Sequence, residues 1–295
     1  MATLREVRSR ISGVKKTQKI TKAMKMVAAA KLRRAQRGVV SARPYAAKMK
    51  ELLSHLAGRG GGTDNPFFAP RSVRAVALLI VTSDRGFCGG FNSNLIKAAV
   101  NHIETSYGEL KKAGHVSIFC IGKKGFDFFS RRGYAIRKKY LGIFNKLVFG
   151  QAPVIVADVI EGYANGDYDR VDVIYNEFKS MTQQRIVLEQ FLPIVAEPAG
   201  GRKGRGSTEY IYEPSIAEIL NALVPRHMNF QVWRVLLESN AAEEGARMAA
   251  MENATTNANE MIETLQLQYN KARQAAITKE LLEVVSGAEA LTQEG

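Results

Sequence analysis

The chain has 295 residues, 46% hydrophobic and 24% charged, which allows a packed core of one or two domains and argues against wholesale disorder. Its longest unbroken apolar run, Ala75–Val81, has seven residues, against the roughly 20 that a membrane-spanning helix needs, so no direct membrane span is expected. The net charge of +14 is concentrated in residues 1–60, which hold 16 Lys and Arg and two acids, while the other 235 residues hold 26 of each sign; such a segment calls for an acidic partner, whether nucleic acid, an anionic membrane surface or an acidic protein face.

Cys88 and Cys120 are too few for a disulfide scaffold or a zinc cluster and read as small buried apolar side chains. The opening MATLREVRSRISGVKKTQKI is basic and nearly acid-free, the composition of a mitochondrial transit peptide. Periodicity decides for mature structure instead. Stepping from Leu4 alternately by three and four residues, the seam reads Leu4, Val7, Ile11, Val14, Gln18, Thr21, Lys25, Ala28, Leu32, Ala35, Val39, Ala42, Ala46, Met49, Leu53 and Leu56. Thirteen of these 16 positions are apolar and the phase never slips, so one helix is predicted over residues 3–57. Gly13, Gly38 and Pro44 weaken it, and Gly58 with Gly60–Gly62 ends it. Gln18, Thr21 and Lys25 interrupt the seam consecutively, and Lys15, Lys19, Lys22 and Lys25 stand three or four apart, each like-charge pair costing roughly 0.2–0.5 kcal/mol. Either this is a solvated face, or the turn leaves its helix partner to engage another molecule.

In the middle of the chain, Val73–Val81 reads as a buried strand, followed by the turn Thr82–Gly90 and a helix from Asn92 to about Ser106. Val116–Ile121, Val171–Ser180 and Arg185–Ile194 read as further strands, and Lys123–Arg132 and Pro153–Asn165 as helices. The alternation predicts a Rossmann-like, three-layer α/β domain with about five strands, partly parallel. GFCGGF at Gly86–Phe91 is neither GxGxxG nor a Walker A sequence, and Gly122–Phe126 lacks the Gly-Lys-Ser/Thr ending. Tight-turn geometry is expected there, with Asp84 and Arg85 as a turn-stabilising pair. The four histidines are scattered without metal-ligand spacing, and no Ser–His–Asp order is visible in the sequence. Ala199–Ser207 reads as a flexible basic loop.

Ser215–Leu291 is again helical, with a kink or restart at Pro225 and His227. Residues 239–259 are crowded with Ala, Asn, Ser and Thr, which lets two backbones approach closely. A long helix at each end of the chain predicts an antiparallel coiled coil of the termini. The expected organisation is an N-terminal coiled-coil helix over 1–58, an α/β domain over 73–207 and a C-terminal coiled-coil helix over 214–291. If Leu56 faces about Ile216, Leu4 faces about Gln268 and the apolar residues Ile277, Leu281, Leu282, Val284, Val285 and Leu291 have no helix partner. Such a bare tip is an insertion element. The second helix carries six bases and nine acids over 214–285, so it leaves most of the basic charge uncompensated.

Three segments carry a resemblance: ITKAMKMVAAAKLRRAQ (Ile20–Gln36), VTSDRGFCGGFN (Val81–Asn92), and ARMAAMENATTNA (Ala246–Ala258) with YNKARQAAITKELLEVVSGAEAL (Tyr269–Leu291). The chain resembles the gamma subunit of F-type ATP synthases, of the bacterial type, over nearly its whole length. The resemblance implies a non-catalytic central-stalk rotor without a cofactor, whose partners are the alpha and beta subunits of the catalytic ring, the epsilon subunit and the membrane c-ring, at the cytoplasmic face of a bacterial plasma membrane. By the family pattern Lys22, Met24 and Lys25 on one helix and Arg273 and Gln274 on the other match the region that engages beta subunits, and Ile277, Leu281, Leu282 and Val285 match the tip held in an apolar sleeve. No large insertion of the redox-switch kind is evident. Two other classes are open to such a sequence, a nucleic-acid-binding coiled-coil arm and a Rossmann-like enzyme with helical extensions; against the first, the basic segment holds a single aromatic residue, Tyr45.

Overall fold

The computed structural model describes residues 3–56, 65–180, 183–195, 212–213 and 215–293; the glycines expected to end the first helix and the basic loop Ala199–Ser207 lie outside them. Two compact units divide the chain, one of Met1–Val27 with Met248–Gly295, the other of Ala28–Arg247.

The larger unit is built on a five-stranded sheet. Its strands are β1 (Val76–Val81), β2 (Val116–Ile121), β3 (Ala135–Tyr140), β4 (Arg170–Phe178) and β5 (Gln184–Leu192), in the order β3-β2-β1-β4-β5. The first four are mutually parallel, and β5 closes a hairpin antiparallel to β4. All six residues of β1 are buried because both faces of the sheet are covered. Val76, Leu78 and Ile80 face the helices α2 (Phe91–Lys112) and α3 (Lys123–Ser130) in one core. Ala77, Leu79 and Val81 face a second core made by α4 (Gln151–Ala164) together with parts of the two terminal helices, α1 (Leu4–Leu56) and α5 (Ile216–Gln293). Met49, Leu53 and Leu56 of α1 and Leu220, Val224, Met228, Val232, Val235 and Leu236 of α5 are the buried residues of this third layer.

Three details depart from the sequence expectations. The strand β3 was not foreseen: AIRKKY has no apolar alternation, and as an edge strand it leaves most of its side chains in water. The helix α2 does not end at Ser106. It kinks at Tyr107 (φ −133°, ψ 22°) and resumes to Lys112, with the Tyr107 hydroxyl donating to buried Asp172 at 2.6 Å. Pro225 neither breaks nor restarts α5, which is one helix from Ile216 to Gln293; Pro44 is likewise carried inside α1. One lost backbone hydrogen bond is tolerated where the flanking turns are packed, as Leu220, Val224 and Met228 are.

The smaller unit contains the first part of α1 and the last part of α5. A reciprocal cap starts α1: the Thr3 backbone N–H donates to Glu6 Oε2 at 3.0 Å and the Glu6 N–H to Thr3 Oγ1 at 3.3 Å. Val7 on α1 and Met251, Ala258, Ile262 and Leu265 on α5 are buried, the helix-spaced stripe of a coiled-coil seam. Facing pairs run in opposite directions along the two helices, as antiparallel packing requires.

Candidate partner interface

The three seam positions that are not apolar in α1 are matched on α5. The Gln18 amide donates to Asn259, the Thr21 and Thr255 hydroxyls bond at 2.8 Å, and Lys25 Nζ reaches Glu252 Oε1 at 2.5 Å. Thr21 is 7% exposed. The stretch keeps its helix partner, against the expectation that it leaves it, while the solvated face expected there is borne out in Lys15, Lys19 and Lys22, which are exposed. Polar groups that satisfy one another across the seam, with Thr21 buried among them, favour this register, since a slip unpairs them. The register itself differs from the one expected. Numbers of facing residues add to 276 or 277 here, against 272 from pairing Leu56 with Ile216, a shift of about one helical turn that places Leu4 opposite about Arg273.

Lys22 points outward and Met24 is half-buried, while Lys25 is held by Glu252. Arg273 and Gln274 are exposed on α5. They lie about 20 residues beyond Glu252, roughly 30 Å along the helix, so the two sets of predicted contact residues do not meet. Beyond them Ile277, Leu281, Leu282, Val284 and Val285 are 49–70% exposed. The side chain of Leu291 lies outside the described ones.

The larger unit contains a set of buried charges that sequence reading missed. Glu238, 2% exposed, accepts a two-pronged bond from Arg43 (2.9 and 3.1 Å) and another from the Phe178 backbone N–H at 3.2 Å. Arg43 also donates to the Phe178 carbonyl at 3.1 Å, so one ion pair ties α1, α5 and the end of β4 together. About two turns further along α5, Arg247 bridges Glu243 and Glu244, at 2.5 and 3.1 Å, and its guanidinium reaches the Gly86 carbonyl. Burial lifts the pKa of Glu243 to about 7 against the opposing pull of Arg247. These acids stand among Ala241, Ala242 and Ala246, where small neighbours let α5 approach the turn after β1. The signal was legible only as charges embedded in an alanine-rich helix.

Open α/β sheets admit ligands where the strand order reverses, outside the carboxyl ends of the strands. Here that place lies between β1 and β4. It is filled by α5: Ala242 and Ala246 pack on Cys88, Phe91 and Phe178. The turn itself is held by its own polar groups. Asp84 accepts the backbone N–H groups of Lys123 (3.0 Å), Gly142 (2.9 Å) and Phe144 (3.3 Å), while Arg85 donates to Asn145 instead of pairing with Asp84. Gly122 has φ +92°, and a Cβ there would come within 2.2 Å of the Thr82 carbonyl oxygen, so only glycine fits. Both cysteines are free and buried, and burial raises both thiols, Cys120 to about 12.

The tertiary structure does assemble one Ser–His–Asp order invisible in the sequence. Ser106 Oγ lies 3.2 Å from His102 Nδ1, and His102 Nε2 lies 3.1 Å from Asp172 Oδ2. Asp172 also takes the Tyr107 hydroxyl and Arg170 Nε at 3.0 Å, so its charge is divided among three donors, and Ser106 stands on the exposed surface of α2. The network anchors the kink of α2 to the start of β4. Among the described residues no group of three or more His, Cys, Asp or Glu side chains is arranged to hold a metal ion, and no described helix is long and apolar enough to cross a membrane.

Comparison with known proteins places this arrangement. The family model described as ATP synthase matches residues 3–291. The chain is 53% identical to the ATP synthase gamma chain of Chloroherpeton thalassium over 99% of both chains, and 52% identical to that of Chlorobaculum tepidum over 99% of this chain and 100% of the relative. The chain belongs to the ATP synthase gamma family.

Among solved structures, a chain of the Tetrahymena thermophila mitochondrial ATP synthase central stalk and c-ring is similar with a TM-score of 0.60 and 25% identity, covering 80% of this chain and 99% of that one. A chain of the Euglena gracilis OSCP/F1/c-ring assembly shares the fold with a TM-score of 0.67 at 22% identity, covering 98% and 94%. The gamma-family segments quoted from the sequence thus fall on α1 (Ile20–Gln36), on β1 with the turn after it (Val81–Asn92), and on α5 (Ala246–Ala258 and Tyr269–Leu291). As a gamma chain, the protein is a subunit of ATP synthase, with the helical hairpin and mixed α/β sheet of its relatives.

Proposed function

We propose that this chain is the central-stalk rotor of a proton-translocating ATP synthase, coupling rotation of a membrane c-ring to conformational change at the catalytic sites of a surrounding ring. The full-length identity of 53% to a curated gamma chain carries the reading. In it, the two long helices stand inside alternating alpha and beta subunits, and the α/β domain packs with an epsilon subunit and the c-ring. Lys22, Met24, Lys25, Arg273 and Gln274 contact beta subunits, and Ile277, Leu281, Leu282 and Val285 sit in an apolar sleeve. Support comes from the exposure of that apolar face, where each residue would contribute on the order of 1.5–3 kcal/mol if fully covered. The residues divide functionally into coiled-coil helices (1–58 and 214–291) and a foot domain (73–207).

The mechanism follows from asymmetry. An antiparallel helix pair presents different side chains on each flank, so it cannot offer the same face to three identical subunits at once. Each orientation therefore stabilises a different conformation at each site through differential contact energy. Basic side chains suit contacts that pass from subunit to subunit, because charge attraction is long-ranged and loosely directional. The chain itself performs no bond chemistry in this reading, which the occupation of the sheet's ligand crevice by Ala242 and Ala246 supports. We place it at the cytoplasmic face of a bacterial plasma membrane, as a peripheral subunit. Nothing favours nucleic acid: Tyr45, the one aromatic of the basic segment, packs on Phe230 with ring centroids 4.4 Å apart.

Co-expression with alpha and beta subunits tests the proposal. A particle that hydrolyses nucleotide and contains this chain is expected; a chain that purifies alone, leaving alpha and beta unassembled, would sink it.

A further inference from the structure

A groove of about 720 Å³ runs between α2 and α3, on the face of the sheet away from the terminal helices. Ile96, Val100 and Phe128 contribute its apolar lining. Lys97, Lys124 and Arg131 stand exposed around it, and their side chains make no ion pair or hydrogen bond among the described residues; Arg132 lies over the Phe128 ring at 3.8 Å. Two acids oppose them: Asp127, half-buried, and Glu104, which Lys111 holds at 3.3 Å. The α3 side is therefore net positive. The lining face of α2 runs from Ser93 to Glu104, about three helical turns.

The end of α5 has the complementary pattern. Ile277, Leu281, Val284 and Val285 form one helical stripe, each at least 49% exposed. Glu280 and Glu283 each precede a stripe residue by one position, which at about 100° per residue puts both on the same flank. Lys279 pairs with Glu283 at 3.5 Å, and Glu280 makes no ion pair among the described residues. The stripe spans about two turns, which fits within the groove, and its acidic flank matches the cationic α3 side.

We propose that the chain, before it meets its subunit partners, associates head to tail: the α5 tip of one copy lies in the α2/α3 groove of another. The contact joins two different surfaces, so copies add head to tail, closing into a ring or growing into open chains. It covers the apolar tip while no other protein does. The inference goes beyond the rotor reading and does not rest on it.

Sedimentation velocity of the purified full-length chain, over about two decades of concentration, reads this out by mass action. Oligomers are expected to grow with concentration. Leu281→Glu with Val285→Glu on the tip, and separately Lys97→Glu with Arg131→Glu at the groove, should each weaken association by about tenfold or more. None of these four side chains is buried, and thermal melting followed by circular dichroism checks that each variant keeps its fold. The decisive arm is a charge swap. A chain carrying Glu280→Lys and Glu283→Lys, weak alone, should associate when mixed with the Lys97→Glu, Arg131→Glu chain. A wild type that stays monomeric, association unaffected by the groove variant, or a mixture that stays dissociated would each overturn the proposal. Failure here leaves co-assembly with alpha and beta untouched, so the two readings fail separately.

Discussion

Glu243 is one of two adjacent acids placed against one arginine inside the larger unit, and desolvation raises its pKa to about 7 from the ordinary carboxylate value of 4.5. Between those values the native chain holds a proton that the unfolded chain has released. Stability contributed at this site therefore falls as pH rises from about 4.5 to 7 and is level above. Denaturant unfolding of Glu243→Gln and the parent at pH 5 and pH 8 should show the difference moving in favour of the variant at the higher pH; a pH-independent difference would contradict the assignment. Arg43 and Glu238 form a second buried pair, in which the acid is enclosed and the cation half-solvated. Glu238 is 2% exposed in its side chain while Arg43 is 49% exposed. Arg43→Ala thus removes a half-solvated cation but leaves a buried carboxylate short of two donors, and a loss of about 2 kcal/mol is expected in the same assay. The cysteines give a simpler expectation: with burial raising both thiols, neither should react with a thiol reagent at pH 8 until the chain unfolds.

At the scale of elements, α1 holds a weak point that can be strengthened. Gly13 lies inside the helix beside a groove of about 550 Å³ formed with Met261, Leu265 and Gln268, and a Cβ at Gly13 would meet nothing within 4 Å. Gly13→Ala should therefore add up to about 1 kcal/mol through helix propensity and a less free unfolded chain. Gly38 is the contrast, since its Cβ would stand 3.1 Å from a Leu237 methyl. Its replacement should gain less, and melting curves of the two variants compare them directly. The strand β3 shows why elements at an edge evade prediction: a strand paired on one side and wet on the other needs few apolar residues, so its sequence looks like a basic loop. The kink of α2 was half legible. The pattern faltered at Ser106, but the buried Asp172 that draws in the Tyr107 hydroxyl, and so keeps the helix going, comes from 65 residues away.

At the scale of the whole molecule, the division into two units has a direct consequence. Residues after Tyr269 belong to the smaller unit, and the only tryptophan, Trp233, packs on Phe149 in the larger. Truncation after Tyr269 should leave the Trp233 fluorescence melt unchanged while lowering the coupling of ATP hydrolysis to rotation in the assembled complex. A truncated chain with no cooperative Trp233 transition would show that the larger unit needs the tail.

The sequence by itself determined the antiparallel helix pair, the strand-and-helix alternation of the middle and the apolar tip, because each is written in a periodicity that local geometry alone enforces. The family followed from the segments at Ile20–Gln36, Val81–Asn92 and Tyr269–Leu291. Only the tertiary structure decided the register of the helix pair, off by about one turn from the arithmetic, because register is set by which polar groups satisfy one another across the seam. Thr21 with Thr255 and Lys25 with Glu252 are 234 and 227 residues apart. The buried Arg43–Glu238 pair and the filling of the sheet's crevice by Ala242 and Ala246 were likewise beyond the sequence. A charge or an alanine carries no mark of its partner until the chain has brought the two together.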